Sequence, residues 1–310
     1  MDYILLLAGF VILILGGNWL LKAAVGLSLR LHIPKIVIGM TVVSFATSAP
    51  ELIVSLNSAL DGHADISLGN VIGSNIANLG LVLGIVTILS NISVEKSFYK
   101  IDWPVMMFAS VLLYALLYFD ETLQWYDGLL LFSLLVVFLS YLLKFQTPAV
   151  TEGIPDNEVI LPVHMVIIYL IIGGIGLWGG SELLIKGAIN IANQFGVSER
   201  IIGITIISVG TSIPELAASI IAVIKKEKAI SLGNLLGSNV FNILAVLGIT
   251  SMVTPIKVND PGLLTNDIIW MLVFAVMIFP LVFAPLRMKL SWKEGIILLG
   301  TYVVFIALML

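Results

Sequence analysis

The chain has no cysteine and little charge: of its 310 residues only 11% are Asp, Glu, Lys or Arg, whereas 59% are hydrophobic. The absence of cysteine excludes a disulfide framework and a thiolate metal site. A soluble domain carries about 25% charged residues, so this chain, with a mean hydropathy of +1.12, cannot cover its apolar surface. These shortages exclude a water-soluble globule and indicate a membrane protein.

The apolar runs are long enough to cross a bilayer, which takes about 20 residues per helix. Ten such runs occur, at residues 3–29, 36–60, 66–90, 103–119, 126–144, 161–190, 200–224, 230–254, 267–286 and 292–309. The sequence therefore predicts an all-α polytopic membrane protein with ten transmembrane helices. The first run lacks the basic region and the small-residue cleavage site of a signal peptide, so we interpret it as the first spanning helix.

Lysine and arginine are unevenly distributed over the connections between these spans. Eleven lie on one side of the membrane and two, Arg200 and Lys257, on the other. Because the basic side of a membrane protein faces the cytoplasm, we expect a multi-pass protein of the plasma membrane with both termini outside. The connection 146–160 contains Pro, Gly and acidic residues, and we expect it to be a short cytoplasmic linker.

The two halves of the chain contain copies of one sequence. Residues 39–84 align with residues 203–248 at a constant offset of 164, with 21 identities in 46 positions and no gap. Since each half has five predicted spans, an odd number, the second half enters the membrane from the opposite side. We therefore predict two inverted-topology five-helix repeats, 1–145 and 161–310. Transporters are commonly built in this way, with the ligand site near the bilayer midplane.

Each repeat places a glutamate about halfway along a spanning helix, Glu51 in the first repeat and Glu215 in the second. A charged carboxylate at the bilayer centre costs about 2.5–3.5 kcal/mol, so it has to be paired, protonated or neutralised by a cation. A proline precedes each glutamate and lacks the N–H that would bond to the carbonyl four residues back. We therefore expect the carbonyls of Ala46 and Gly210 to be available to a ligand.

Oxygen-bearing side chains accompany both glutamates. Threonine and serine lie four, three and seven residues before each one, on the same helix face, and a Gly-Asn-x-x-Gly-Ser-Asn block follows in each repeat. The candidate cation ligands are Glu51, Glu215, Thr47, Thr211, Ser48, Ser212, Ser74, Ser238, Asn78, Asn242, Ser44 and Ser208. Such oxygens suit hard cations such as Ca²⁺ and Na⁺, whereas zinc and copper prefer imidazole or thiolate.

Two structural interpretations of these polar residues stay open. A Ser-x-Pro-Glu sequence in a membrane helix can be a kink with a hydrogen-bonded carboxylic acid, although its repetition at equivalent inverted positions favours a ligand site. The remaining asparagines of the two blocks can be hydrogen bonders between packed helices rather than ligands. These asparagines are Asn70, Asn75, Asn234 and Asn239.

The paired Thr-Ser-x-Pro-Glu and Gly-Asn-x-x-Gly-Ser-Asn blocks resemble the two α-repeats of the cation/calcium antiporter superfamily, and most closely the prokaryotic sodium/calcium exchangers. The resemblance implies a Ca²⁺ site in which Glu51 and Glu215 are bridging carboxylates, joined by the carbonyls of Thr47 and Thr211. For the flanking Na⁺ sites it implies the side chains of Ser48, Ser74, Ser212 and Ser238 and carbonyls near Ser44 and Ser208. Asn78 and Asn242 occupy the remaining polar positions. Some relatives have aspartate where this chain has Asn242, which disfavours potassium dependence here.

The resemblance implies a secondary active antiporter that exchanges Na⁺ for Ca²⁺ by alternating access, and not an enzyme. We expect no cofactor, no nucleic-acid partner and no obligatory protein partner; the transported ions and the lipid bilayer are the expected partners. A Ca²⁺/H⁺ exchanger of the same fold is the nearest alternative, and a cation channel is a more remote one. An intramembrane hydrolase would need a metal or nucleophile motif such as His-Glu-x-x-His, which the sequence lacks.

Overall fold

A computed structural model describes residues 2–145, 161–194, 208–284 and 288–309. In this part of the chain, eight helices are long and apolar enough to cross a membrane, and a ninth candidate is a pair of helices bent by 44°. In chain order the helices are α1 (Asp2–Leu31), α2 (Lys35–Thr47), α3 (Ala49–Leu60), α4 (Ala64–Leu89), α5 (Phe98–Asp120), α6 (Trp125–Phe145), α7 (Val163–Gln194), α8 (Ser208–Gly210), α9 (Ile213–Ile224), α10 (Lys228–Val253), α11 (Leu263–Phe283) and α12 (Trp292–Met309). The predicted linker 146–160 and residues 200–207 of the seventh predicted span lie outside the described residues.

Several helix boundaries differ from the sequence prediction. The predicted span 36–60 is two helices, because the backbone of Ser48 leaves the helical conformation between α2 and α3. Helix α11 is Leu263–Phe283 rather than 267–286. It begins early because a turn at Asp260, whose carboxylate accepts the Gly262 N–H at 2.8 Å, initiates it. It ends early because Ala284 is extended.

Among the described residues, five helical turns widen to π geometry, which the sequence did not predict. They are Gly39–Val43, Asn78–Val82, Phe98–Asp102, Asn242–Leu247 and Leu263–Asp267. Two of them begin at candidate ligand residues, Asn78 and Asn242. Single π turns inside α-helices are frequent at functional sites.

The described residues form two compact units, and each unit takes helices from both repeats. The first unit comprises Met1–Thr47 and Ser140–Asn234. Within it α1 and α7 pack together along their length. A Cβ atom added to Gly9 would lie 2.7 Å from the Gly180 carbonyl oxygen. The two backbones are therefore in direct contact, which glycine alone permits.

The second unit comprises Ser48–Leu139 and Leu235–Leu310. Its described residues include four two-residue strands: β1 (Ile92–Ser93) pairs antiparallel with β4 (Lys289–Leu290), and β2 (Thr122–Leu123) pairs antiparallel with β3 (Ile256–Lys257). Each pair joins a strand of the first repeat to a strand of the second. This reciprocal pairing is the pattern that duplicated, inverted halves produce.

Candidate functional site

The two glutamates occupy equivalent places, each in the first turn of a helix that starts after a break. Both side chains are fully buried. The break before α3 lies at Ser48 (φ −85°, ψ 3°), and the break before α9 lies at Ser212 (φ −87°, ψ 3°). Pro50 and Pro214 are the second residues of these helices, in a first turn where the missing N–H costs no hydrogen bond. The start of a helix carries unpaired N–H groups and a partial positive charge, which stabilise the negative charge of Glu51 and Glu215.

The first unit holds the end of α2 against α10 through Asn234. Thr47 Oγ1 donates to Asn234 Oδ1 at 3.1 Å, and Ser44 Oγ donates to the Asn234 carbonyl oxygen at 2.9 Å. Asn234 in turn donates its amide to Ser219 Oγ of α9 at 3.1 Å. Since α9 also packs against residues 44–47, this unit brings Ser44 and Thr47 beside the helix that carries Glu215.

The Gly210 carbonyl of α8, just before α9, has a partner that the sequence did not predict. The Gly210 carbonyl, expected to be open to a ligand, accepts a hydrogen bond from Ser181 Oγ at 3.0 Å. Of the predicted ligands that precede Glu215, Ser212 is buried and its hydroxyl has no hydrogen-bond partner among the described residues. Thr211 is half-buried, and the side chain of Ser208 lies outside the described part of the structure.

The second unit holds the other predicted ligands. Helix α3 packs against α4 and against the π turn Asn242–Leu247 of α10. The predicted ligands of this unit are all buried: Ser48, Glu51, Ser74, Asn78, Ser238 and Asn242. Asn70 of α4 donates to Ser55 Oγ at 2.9 Å and to the Glu51 carbonyl oxygen at 3.3 Å. These bonds fix the turn of α3 that presents the glutamate.

Sequence reasoning missed Ser55 and Ser219, which accept hydrogen bonds from Asn70 and Asn234 respectively. Each serine lies four residues after a glutamate and is fully buried. They are identical at the offset of 164, so the repeat alignment contained the signal. The interpretation of Asn70 and Asn234 as hydrogen bonders between helices is confirmed by these bonds.

Four asparagines link α4 to α10 inside the second unit. Asn78 Nδ2 donates to Asn239 Oδ1 at 3.2 Å, and Asn242 Nδ2 donates to Asn75 Oδ1 at 3.1 Å. Asn75 Nδ2 also donates to the Asn239 carbonyl oxygen at 3.3 Å. Every one of these bonds connects the two repeats.

The donor set consists of carboxylate, hydroxyl and amide oxygens. Among the described residues, no group of three or more His, Cys, Asp or Glu side chains is arranged to hold a metal ion. A cation at these positions would therefore take most of its ligands from hydroxyls, amides and backbone carbonyls. Weakly charged oxygen sets of this kind suit Na⁺ and Ca²⁺.

Known proteins match the chain over its full length. Residues 1–144 and 165–310 match the family described as sodium/calcium exchanger protein. A putative antiporter, CaxA of Alkalimonas amylolytica, is 34% identical to this chain. The match covers 97% of this chain and 96% of the length of CaxA. The sodium/calcium exchanger MaX1 of Methanosarcina acetivorans is 28% identical to this chain. The match covers 99% of this chain and 98% of the length of MaX1.

A solved structure of the sodium-calcium exchanger NCX_Mj, soaked with zero Na⁺ and Ca²⁺, has a TM-score of 0.84. Its sequence is 29% identical to this chain, and the match covers 100% of this chain and 99% of the solved chain. This likeness confirms the predicted fold class, a polytopic all-α membrane protein with ten helices in two inverted repeats. The chain belongs to the sodium/calcium exchanger family.

Proposed function

We propose that this protein is a secondary active antiporter that exchanges Na⁺ for Ca²⁺ by alternating access. The observation that carries the proposal is the pair of fully buried glutamates, Glu51 and Glu215, at the starts of equivalent helices in the two repeats. Their burial requires compensation of their charge, and a transported cation supplies it. In this proposal Glu51 and Glu215 are the charged ligands, and the hydroxyl, amide and carbonyl oxygens of the other candidate residues complete the ion sites.

Charge balance explains why such a site couples two fluxes. One Ca²⁺ or two Na⁺ neutralise two carboxylates, so either loaded form can rearrange across a region of low dielectric constant. The empty form keeps two negative charges, whose transfer into that region is costly. The protein therefore returns loaded rather than empty, which makes transport an exchange. The resemblance to the sodium/calcium exchangers implies a stoichiometry of three Na⁺, and the third Na⁺ would move net charge across the membrane.

The names of the relatives support this assignment. MaX1 is named a sodium/calcium exchanger and CaxA a putative antiporter. Two other NCX_Mj structures were soaked with Na⁺ together with Ca²⁺ or with Sr²⁺. One further relative, YrbG of Escherichia coli strain K12, is named an inner membrane protein. We infer the same cytoplasmic-membrane location for this chain, with both termini outside according to the lysine and arginine distribution.

Uptake of radioactive Ca²⁺ into proteoliposomes tests the proposal. The vesicles are loaded with Na⁺, K⁺ or choline, with and without an imposed pH gradient. We expect uptake only when an outward Na⁺ gradient is present, and its loss in Glu51→Gln and in Glu215→Gln. Glu182→Gln is the matched control, because Glu182 is an exposed glutamate of α7 and its loss removes the same charge.

Each other result assigns a different function. Uptake that follows the pH gradient and ignores Na⁺ would replace the proposal with a Ca²⁺/H⁺ exchanger. Uptake that needs no counter-ion would indicate a channel. Full Na⁺-dependent uptake in both glutamine variants would show that the coupling site lies elsewhere.

A further inference from the structure

The four asparagines of α4 and α10 form a reciprocal pair of hydrogen bonds. Asn78 donates to Asn239, and Asn242, its equivalent at the offset of 164, donates to Asn75. Asn75 and Asn239 are themselves equivalent at that offset. All four side chains are at most 1% exposed, so water does not compete for these bonds.

These bonds determine which end of the side-chain amides of Asn78 and Asn242 is available to a ligand. An asparagine side chain has one NH₂ group, which donates, and one carbonyl oxygen, which accepts. In Asn78 and Asn242 the NH₂ group is committed to its partner, whereas the buried Oδ1 atom has no hydrogen-bond donor among the described residues. Rotation of either amide by 180° would place two carbonyl oxygens against each other. The carbonyl end is therefore the open one in both residues.

Asn75 and Asn239 are held in the accepting orientation by contacts of their own. Asn75 Nδ2 faces the Asn239 carbonyl oxygen at 3.3 Å and Met271 Sδ at 3.6 Å. Asn239 Nδ2 faces Met106 Sδ at 3.8 Å. Because their NH₂ groups face acceptors, their Oδ1 atoms point toward Asn242 and Asn78.

Buried carbonyl oxygens without a partner are uncommon in folded proteins, and each calls for an explanation. A bound cation would explain the two carbonyl oxygens here, because a cation binds oxygen atoms and repels NH₂ groups. We propose that Asn75 and Asn239 are positioning residues, which fix the amides of Asn242 and Asn78 so that their carbonyl oxygens face the transported cation. This inference rests on the proposed function, since it assumes that a cation occupies this place.

A mutant cycle in the full-length protein tests the inference, with the Ca²⁺ KM of Na⁺-driven uptake as the readout. Asn75→Leu removes the acceptor for Asn242 at similar side-chain volume. We expect its KM to rise about tenfold, the usual minimum when a partner that orients a metal ligand is lost, with little change in maximal rate. In an Asn242→Ala background the same change should alter KM less than about twofold, because residues that act through one contact are not additive.

Two controls separate positioning from packing. Met271→Leu removes the thioether contact of Asn75 but keeps the bond to Asn242, so its KM should equal that of the wild type. Asn75→Ala removes the same acceptor without adding bulk and replaces the leucine variant if that variant does not fold. The symmetric cycle, Asn239→Leu with Asn78→Ala, repeats the test on the other pair.

The outcomes distinguish this inference from the proposed function. Equal KM changes for Asn75→Leu with and without Asn242→Ala would overturn the positioning role, as would an unchanged KM in Asn75→Leu and Asn239→Leu. A wild-type protein that takes up no Ca²⁺ in response to a Na⁺ gradient would overturn the proposed function and, with it, this inference.

Discussion

Thr47 donates its hydroxyl to the side-chain oxygen of Asn234 across 3.1 Å, and both residues are buried. They lie 187 positions apart, one in each repeat. The same asparagine donates to Ser219. A single amide therefore connects α2, which ends at Thr47, to the helix that carries Glu215. The position of a candidate ligand from one repeat depends directly on a side chain from the other.

Replacement of Asn234 by leucine should destabilise the protein and weaken transport together. The change leaves the Thr47–Asn234 and Asn234–Ser219 hydrogen bonds unmade in a buried place, and an unmade buried bond costs about 1–3 kcal/mol. Thermal unfolding in detergent and Ca²⁺ uptake measure the two effects. Asn259→Ala is the control, since that asparagine is exposed. An unfolding temperature equal to that of the wild type would show that Asn234 does not connect these helices.

Neutralisation of a candidate carboxylate should stabilise the cation-free protein. Glutamine resembles glutamate in shape but needs no compensation of charge when buried, so we expect Glu51→Gln to gain on the order of 1–3 kcal/mol of unfolding free energy without cations. The wild type should regain stability when Ca²⁺ is added, by about 2.7 kcal/mol at 100 times the dissociation constant. The variant should not respond to Ca²⁺.

Thermal unfolding with and without Ca²⁺ measures both parts of this prediction. Glu182→Gln should respond to Ca²⁺ like the wild type, because its side chain is exposed. An equal upward shift on Ca²⁺ addition in Glu51→Gln and in the wild type would remove Glu51 from the cation site.

The sequence predicted the arrangement of spans and repeats well, because both follow from strong signals. Bilayer thickness sets the length of an apolar run, and the repeated Pro-Glu blocks fixed the positions of Glu51 and Glu215. The breaks before α3 and α9 follow from the missing N–H of proline. These features are local, so a short stretch of sequence suffices to predict them.

Features that depend on distant partners could not be predicted in the same way. The Gly210 carbonyl is occupied by Ser181, which lies 29 positions earlier on α7. The orientation of the Asn78 amide depends on Asn239, 161 positions away. Nothing local to Gly210 or Asn78 indicates these partners.

Asn242→Asp should destabilise the protein in the absence of cations. Asn242 donates to Asn75 Oδ1 at 3.1 Å, and a carboxylate at that position has no proton to donate. Two oxygen acceptors would then face each other in a buried place, at a cost of about 1–3 kcal/mol. Thermal unfolding in cation-free buffer should show a lower midpoint for this variant. A midpoint at or above that of the wild type would show that the bond to Asn75 contributes nothing to stability.

Alanine should be tolerated very differently at a glycine inside the α1–α7 contact and at a glycine of α7 outside it. A Cβ atom on Gly16 would lie 2.7 Å from the Leu177 backbone nitrogen, whereas a Cβ atom on Gly179 would meet nothing within 4 Å. Gly16→Ala should therefore force the helices apart at a cost of about 1–3 kcal/mol. Gly179→Ala should be neutral or stabilising, by up to about 1 kcal/mol, because alanine favours the helix. Thermal unfolding measures the stability of the two variants, and the comparison is direct because each substitution adds one methyl group. Equal stability in the two variants would contradict the direct backbone contact of α1 and α7.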